Sequence, residues 1–193
     1  MARKREFDPD EALDKAMRFF WQKGYRHSSI RDLIASTGVN FYGLYNVFGD
    51  KRGIYLKGLD KYMSRYLARI KRSANQAASL EDALSAIFKA VVEIVTVEND
   101  NAGCMVCNAA VEVAPIDQEV AERVKSHRAS IEKFCLTLFK EHPQDLSNIA
   151  PEQHKAIAEY VCSQIYNIGF LVRSQCTKAL INRHIETTIT LLK

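Results

Sequence analysis

Residues 28–51, SSIRDLIASTGVNFYGLYNVFGDK, decide the fold of this 193-residue chain. They read as two short helices joined by a tight glycine turn, followed at once by the capped start of a third. Ser29 is placed to cap the first helix, and Asp32, three residues on, completes a capping-box-like pair. Ile30, Leu33 and Ile34 supply that helix's buried face, with Ala35 small enough for a second helix to cross closely. Gly38 gives the turn its backbone freedom, and Val39 fills the angle between the helices. Asn40 caps the second helix, which turns Leu44 and Phe48 inward and leaves Phe41, Tyr42, Tyr45 and Asn46 largely outward. This is a helix-turn-helix layout over residues 29–48, of the kind whose second helix enters the DNA major groove.

Working outward, a basic arm, Arg3-Lys4-Arg5, precedes a helix with Pro9 near its start. Leu13, Met17, Phe20 and Trp21 recur in it at helical spacing, and Gly24 ends it. Packed across the helix pair, it makes a three-helix head. A fourth helix starts at Asp50-Lys51 and runs to about residue 74, with Tyr55, Leu59, Tyr62, Tyr66 and Ile70 as its apolar stripe. Beyond a soft junction at 75–79, further helices are expected at about 80–97, 104–114, 117–142, 152–173 and 177–192. The fold class is all-α: an N-terminal three-helix head and a C-terminal helical domain. The boundary is placed at 6–66 and 67–193, with the fourth helix linking the two parts.

Net charge divides the same way. Residues 1–72 carry 16 Lys/Arg against 8 Asp/Glu, and the remainder carries 11 against 15. A basic head suits a polyanionic partner. Five scattered cysteines do not make a disulfide framework. The N-terminus lacks the apolar core of a signal peptide, and no run nears the ~18 apolar residues of a membrane span. A cytoplasmic protein without membrane contact is therefore expected. His27, His127, His142, His154 and His184 stand in no chelating spacing, and neither a nucleophile elbow nor a phosphate-cradling glycine loop occurs. No enzyme activity, metal or cofactor is expected.

The stretch from Gly24 to Tyr55 resembles the DNA-binding head of the TetR (tetracycline-repressor-like) family of transcriptional regulators. The marks are Gly24-Tyr25, Ser28-Ser29-Ile30, Leu33-Ile34-Ala35, Gly38-Val39, Leu44-Tyr45, Phe48 and Asp50-Lys51, with Tyr55 after them. Asn40 departs from the Ser or Thr often found there, and Phe41 and Tyr42 replace small, basic or proline residues. The resemblance implies a ligand-responsive repressor: a homodimer on a palindromic double-stranded operator, released by a small-molecule effector bound in the C-terminal half. It also favours Lys51 and Tyr45 as phosphate contacts.

From the residues themselves, Lys51 at a helix start can hold a phosphate. Ser28 and Ser29 can hold a second, at the opposite edge of the motif. Phe41 and Tyr42 can touch thymine methyl groups, while Asn40 and Asn46 complete the DNA-facing set. Gly43 costs about 1 kcal/mol of helix propensity relative to alanine; it implies either ordering on DNA or close approach to the duplex backbone. Cys104 and Cys107, spaced C-x-x-C within a helix, put two thiols on one face. That pair admits an alternative as a redox or electrophile sensor, against plain burial as small apolar residues. A regulator without any effector is the other alternative. The last two helices carry more apolar surface than one core needs, so a four-helix dimer bundle is expected, with Gly169 allowing close crossing.

Overall fold

Three polar side chains punctuate residues 29–51, each extended in its own backbone and each starting a helix. Ser29 accepts from the Asp32 N–H at 3.2 Å while the Asp32 carboxylate accepts from the Ser29 N–H at 2.8 Å, a complete capping box. Asn40 accepts from the Gly43 N–H at 2.8 Å, and Asp50 from the Gly53 N–H at 2.6 Å. These caps set the starts of α2 (Ile30–Thr37), α3 (Phe41–Phe48) and α4 (Lys51–Ala74). The computed structural model describes residues 7–98 and 100–192, so the Arg3-Lys4-Arg5 arm lies outside the described residues.

The other helices are α1 (Pro9–Lys23), α5 (Leu80–Thr96), α6 (Met105–Glu112), α7 (Gln118–Glu141), α8 (His154–Arg173) and α9 (Lys178–Thr190). No strand occurs among the described residues. Among the described residues no helix is long and apolar enough to cross a membrane.

Helix α4 runs through both halves. Ile54, Tyr55, Leu59, Tyr62, Tyr66 and Ile70 are all buried along it, packed on α1 at one end and α5 along the other. Phe20 meets Tyr55 edge-on at 5.2 Å between ring centroids, and Trp21 meets Tyr62 at 4.8 Å. Such T-shaped pairs contribute about 0.5–1.5 kcal/mol each beyond area burial.

Inside the head, Gly38 closes α2 with φ +73° and Val39 is buried behind it. Ala35 is exposed, contrary to the crossing expected of it; Leu33 and Thr37 take the buried positions, with Ile30 and Ile34 half-buried. Thr37 explains the difference. Its hydroxyl donates to the Leu33 carbonyl at 2.7 Å and accepts from the Val39 N–H, folding the end of α2 inward.

Gly43 also differs from both sequence readings. A Cβ there would lie 2.8 Å from Val39 Cγ1 and 3.1 Å from Phe7 Cε1, so the position faces the interior of the head rather than a duplex. In the C-terminal half Gly169 is likewise turned inward: a Cβ would stand 2.4 Å from that of Cys104. It serves packing between α8 and the start of α6 within one subunit, not a crossing between subunits.

Between α4, α7 and α8 the core holds His127, 6 % exposed, beside Tyr66 and Tyr166 at ring-centroid distances of 5.8 and 6.3 Å. Burial pushes the imidazole down to about 4.

Two outcomes follow from this packing. Gly43→Ala should give none of the ~1 kcal/mol that helix propensity offers; thermal unfolding should show a loss, and a gain of that size would contradict the inward placement. For His127, a folded pKa below the unfolded ~6.5 means the unfolded chain binds the extra proton. Its neutral form therefore supports the fold above pH ~6.5, and stability drains away as pH falls toward 4. His127→Leu should lose less stability than wild type between pH 7 and 4, by up to ~3 kcal/mol in denaturant titrations; parallel curves would contradict the assignment.

Candidate nucleic-acid interface

Leu44 and Phe48 anchor α3 in the head, which leaves the opposite side of this eight-residue helix facing out. Tyr42 is 76 % exposed and Phe41 41 %. Tyr45, half-buried, stacks on Phe41 at 4.1 Å, and Tyr42 meets Phe41 edge-on at 5.6 Å. Asn46 is exposed on the next turn. Together they form an aromatic ridge whose apolar faces suit thymine methyl groups and whose hydroxyl and amide groups suit base edges or phosphates. Asn40 has given its carbonyl oxygen to the cap.

Lys51 opens α4 with its ammonium 4.3 Å above the Tyr25 ring. Burial lowers its pKa, while the carboxylates of Glu112 and Asp32 pull the other way. The charge thus sits in a defined place between α4 and the α1–α2 turn. Its neighbour Arg52 is committed elsewhere, bidentate on Asp117 at 2.6 and 2.9 Å and on Glu119 at 2.7 Å.

The serines differ from expectation. Ser28 is 3 % exposed and its hydroxyl donates to the Gly24 carbonyl at 2.6 Å. Ser29 donates to Asp32 Oδ2 at 2.6 Å and accepts the Asp32 N–H, so its hydroxyl is engaged in the capping box. Ser28 therefore shapes the turn instead of presenting an outward hydroxyl. Arg31, which sequence reasoning passed over, is exposed in the first turn of α2. A cation there opposes the helix dipole, and that mismatch is the signal that marks it as a phosphate candidate.

In the C-terminal half, Cys104 is not within α6 but at its N-cap, and Cys107 lies in the first turn. Cys104 is 1 % exposed. Burial alone would raise its thiol, but N–H groups of the first turn and the Tyr62 hydroxyl at 3.7 Å donate to the sulfur and bring it below the ordinary thiol value. The Cys107 thiol donates instead to the Tyr166 carbonyl at 3.6 Å, and the adjacent Cys104 sulfur, with burial, holds it well above its ordinary value. Nearby, Tyr66 Oη, His127 Nε2 and Tyr166 Oη are buried without a hydrogen-bond partner. Each such group costs about 1–3 kcal/mol when left unpaired. A separate groove of about 710 Å³ opens between α4 and α7, lined by Leu67, Lys71, Phe134 and Thr137 among others.

The model of the family described as "Bacterial regulatory proteins, tetR family" matches residues 12–57, which cover α1 to the first turns of α4. The HTH-type transcriptional repressor ComR of Escherichia coli (strain K12) is 36% identical over 132 residues, 68% of this chain and 63% of ComR. The chain thus spans just under two thirds of that relative's length. The uncharacterized HTH-type transcriptional regulator YezE of Bacillus subtilis (strain 168) aligns over the full length of both chains at 24% identity. Among solved structures, a cysteine-substituted form of the TetR-family regulator CifR, complexed with 26-bp double-strand operator DNA, superposes with a TM-score of 0.88. It covers 100% of both chains at 20% identity, a likeness of fold. By these matches the head of the chain, residues 12–57, belongs to the TetR family of bacterial regulatory proteins, and the whole chain shares the fold of a solved TetR-family regulator.

Proposed function

We propose that the protein is a cytoplasmic transcriptional repressor that holds a palindromic operator as a homodimer and is released by a small molecule. In this reading residues 6–66 form the DNA-binding domain and 67–193 the effector and dimerisation domain. The observation that carries the DNA-binding part is the capped α2–α3 pair with its exposed aromatic ridge, seated beside the cation of Lys51. Lys51, Tyr45 and Arg31 take phosphates; Phe41, Tyr42 and Asn46 face the bases.

Pairing is supported by apolar residues left outside on the last two helices. Tyr160 and Phe170 on α8 and Leu180 on α9 are exposed, with Leu191 just after α9. Leu180, His184, Thr187 and Leu191 fall on one helical face, as do Tyr160, Gln164, Asn167 and Leu171. Two such faces from each chain suit a four-helix bundle. Effector binding is supported by the unpartnered Tyr66, His127 and Tyr166 atoms between α4, α7 and α8. An effector loosens DNA binding only to the extent that it prefers the subunit geometry with wrongly spaced heads.

A second reading concerns the thiols. The lowered Cys104 group beside Cys107 favours an electrophile as the effector, in place of a reversibly bound molecule.

Sites selected from a random duplex pool should be palindromic, with half-sites about one helical turn apart; absence of enrichment would contradict the proposal. On the selected operator, Lys51→Ala should weaken specific and non-specific binding alike and reduce the salt slope by about 1. Tyr42→Ala should relax base preference and leave that slope alone. An unchanged slope for Lys51→Ala would remove its phosphate role. N-ethylmaleimide should abolish operator binding by wild type and spare Cys104→Ser; equal loss in both would discard the thiol reading.

A further inference from the structure

Glu112, in the last turn of α6, reaches across to the head. Its Oε2 accepts from the Tyr25 N–H at 2.9 Å and its Oε1 from the Arg26 N–H at 2.7 Å. Both donors belong to the turn between α1 and α2. Gly24 holds φ +82°, where other residues are strained, and a Cβ there would stand 2.8 Å from that carboxylate. The other end of α6 is tied to the head as well: Trp21 Nε1, buried on α1, donates to the Gly103 carbonyl at 2.8 Å. A helix of eight residues, about 12 Å long, is thus attached to the end of α1 at both of its own ends.

From the clamped turn the path to α2 is short. Ser28 donates to the Gly24 carbonyl and Ser29 caps α2, so the Tyr25–Arg26 backbone and the start of α2 are fixed to one another. Lys51 leans over the Tyr25 ring, close enough to Glu112 to feel its charge. Hydrogen bonds to an ionised acceptor are roughly twice as strong as neutral ones, and here one carboxylate holds two backbone donors.

We infer that Glu112 is a positioning residue for DNA binding: carried on α6, it fixes the α1–α2 turn and thereby the approach of α2, α3 and Lys51 to the duplex. This rests on the DNA-binding reading above. It also makes α6 a second connection beside α4, so a displacement of α6 loosens the head. The start of α6 is itself wedged against α8, where Cys104 touches Gly169.

Charge alone gives the opposite expectation, which makes the inference testable. Removing a carboxylate beside a DNA-binding face strengthens binding to a polyanion by simple electrostatics. Positioning predicts that Glu112→Ala weakens the selected operator about 10-fold, a coupling within the usual range. Binding to random duplex should stay level or tighten, and the salt slope should not change. Glu112→Gln, which loses the charge and keeps one acceptor oxygen, should recover part of the loss. Hydrogen exchange at the Tyr25 and Arg26 amides should accelerate in Glu112→Ala without any DNA present, and thermal unfolding should show both variants folded. Gly169→Ala, pressing a methyl on Cys104, should weaken operator binding in wild type and add nothing in the Glu112→Ala background. Operator binding by Glu112→Ala at or above the wild-type level, or unaltered exchange at the two amides, would overturn the inference. A wild type that binds no duplex, with the two amides still accelerated in Glu112→Ala, would overturn the DNA-binding reading and leave a clamp with no role in it.

Discussion

Everything else in this molecule depends on α4 being buried along its length by both halves. Ile54, Leu59 and Ile70 are fully inaccessible, and Tyr55, Tyr62 and Tyr66 carry the same column from the head into the body. Phe20 and Trp21 of α1 pack edge-on against it, while α5 covers its later turns. Interiors packed this closely do not deform gradually. A head joined to its body through such a helix moves with it, which is the mechanical requirement of the proposed release.

Polar contacts add direction to that packing. Arg52, in the first turn of α4, binds the cap residue of α7, Asp117, whose carboxyl this guanidinium holds down to about 2. Arg123 of α7 reaches back to Asp60 on α4 at 2.8 Å. Arg69 pairs with Glu93 and Glu98 around the end of α5. Most of these pairs are partly exposed and contribute little to stability singly. Their value is geometric, since each fixes one helix end against α4. The Glu112 carboxylate differs in kind, because its partners are backbone donors of the α1–α2 turn.

Local chemistry made most of the fold legible. Ser29, Asn40, Asp50 and Gly38 act through neighbours three or four residues away, so their caps and turn could be read directly. The stripe of α4 obeys helical period and is buried as read. Ala35 was misread because Thr37, two residues on, turns the end of α2 inward; Gly43 and Gly169 were misread because Phe7 from before α1 and Cys104 from the N-cap of α6 stand against them. Ser28 belongs to the same class, with a hydroxyl taken by the Gly24 carbonyl. The exposed side of α3 was legible from period alone, whereas the Tyr25 ring under Lys51 was not. Glu112 carried no sequence signal, since its partners lie 86 and 87 residues away.

The central claim is that the outer side of α3 and the start of α4 are where this chain meets DNA, with the heads held by a paired body. Hydrogen exchange with and without the selected duplex tests it most directly. The account predicts new protection in residues 40–51 and no change in the α8–α9 segment, where the proposed pairing already slows exchange in the free protein. Protection confined to the C-terminal half, with residues 40–51 exchanging as in the free protein, would contradict it.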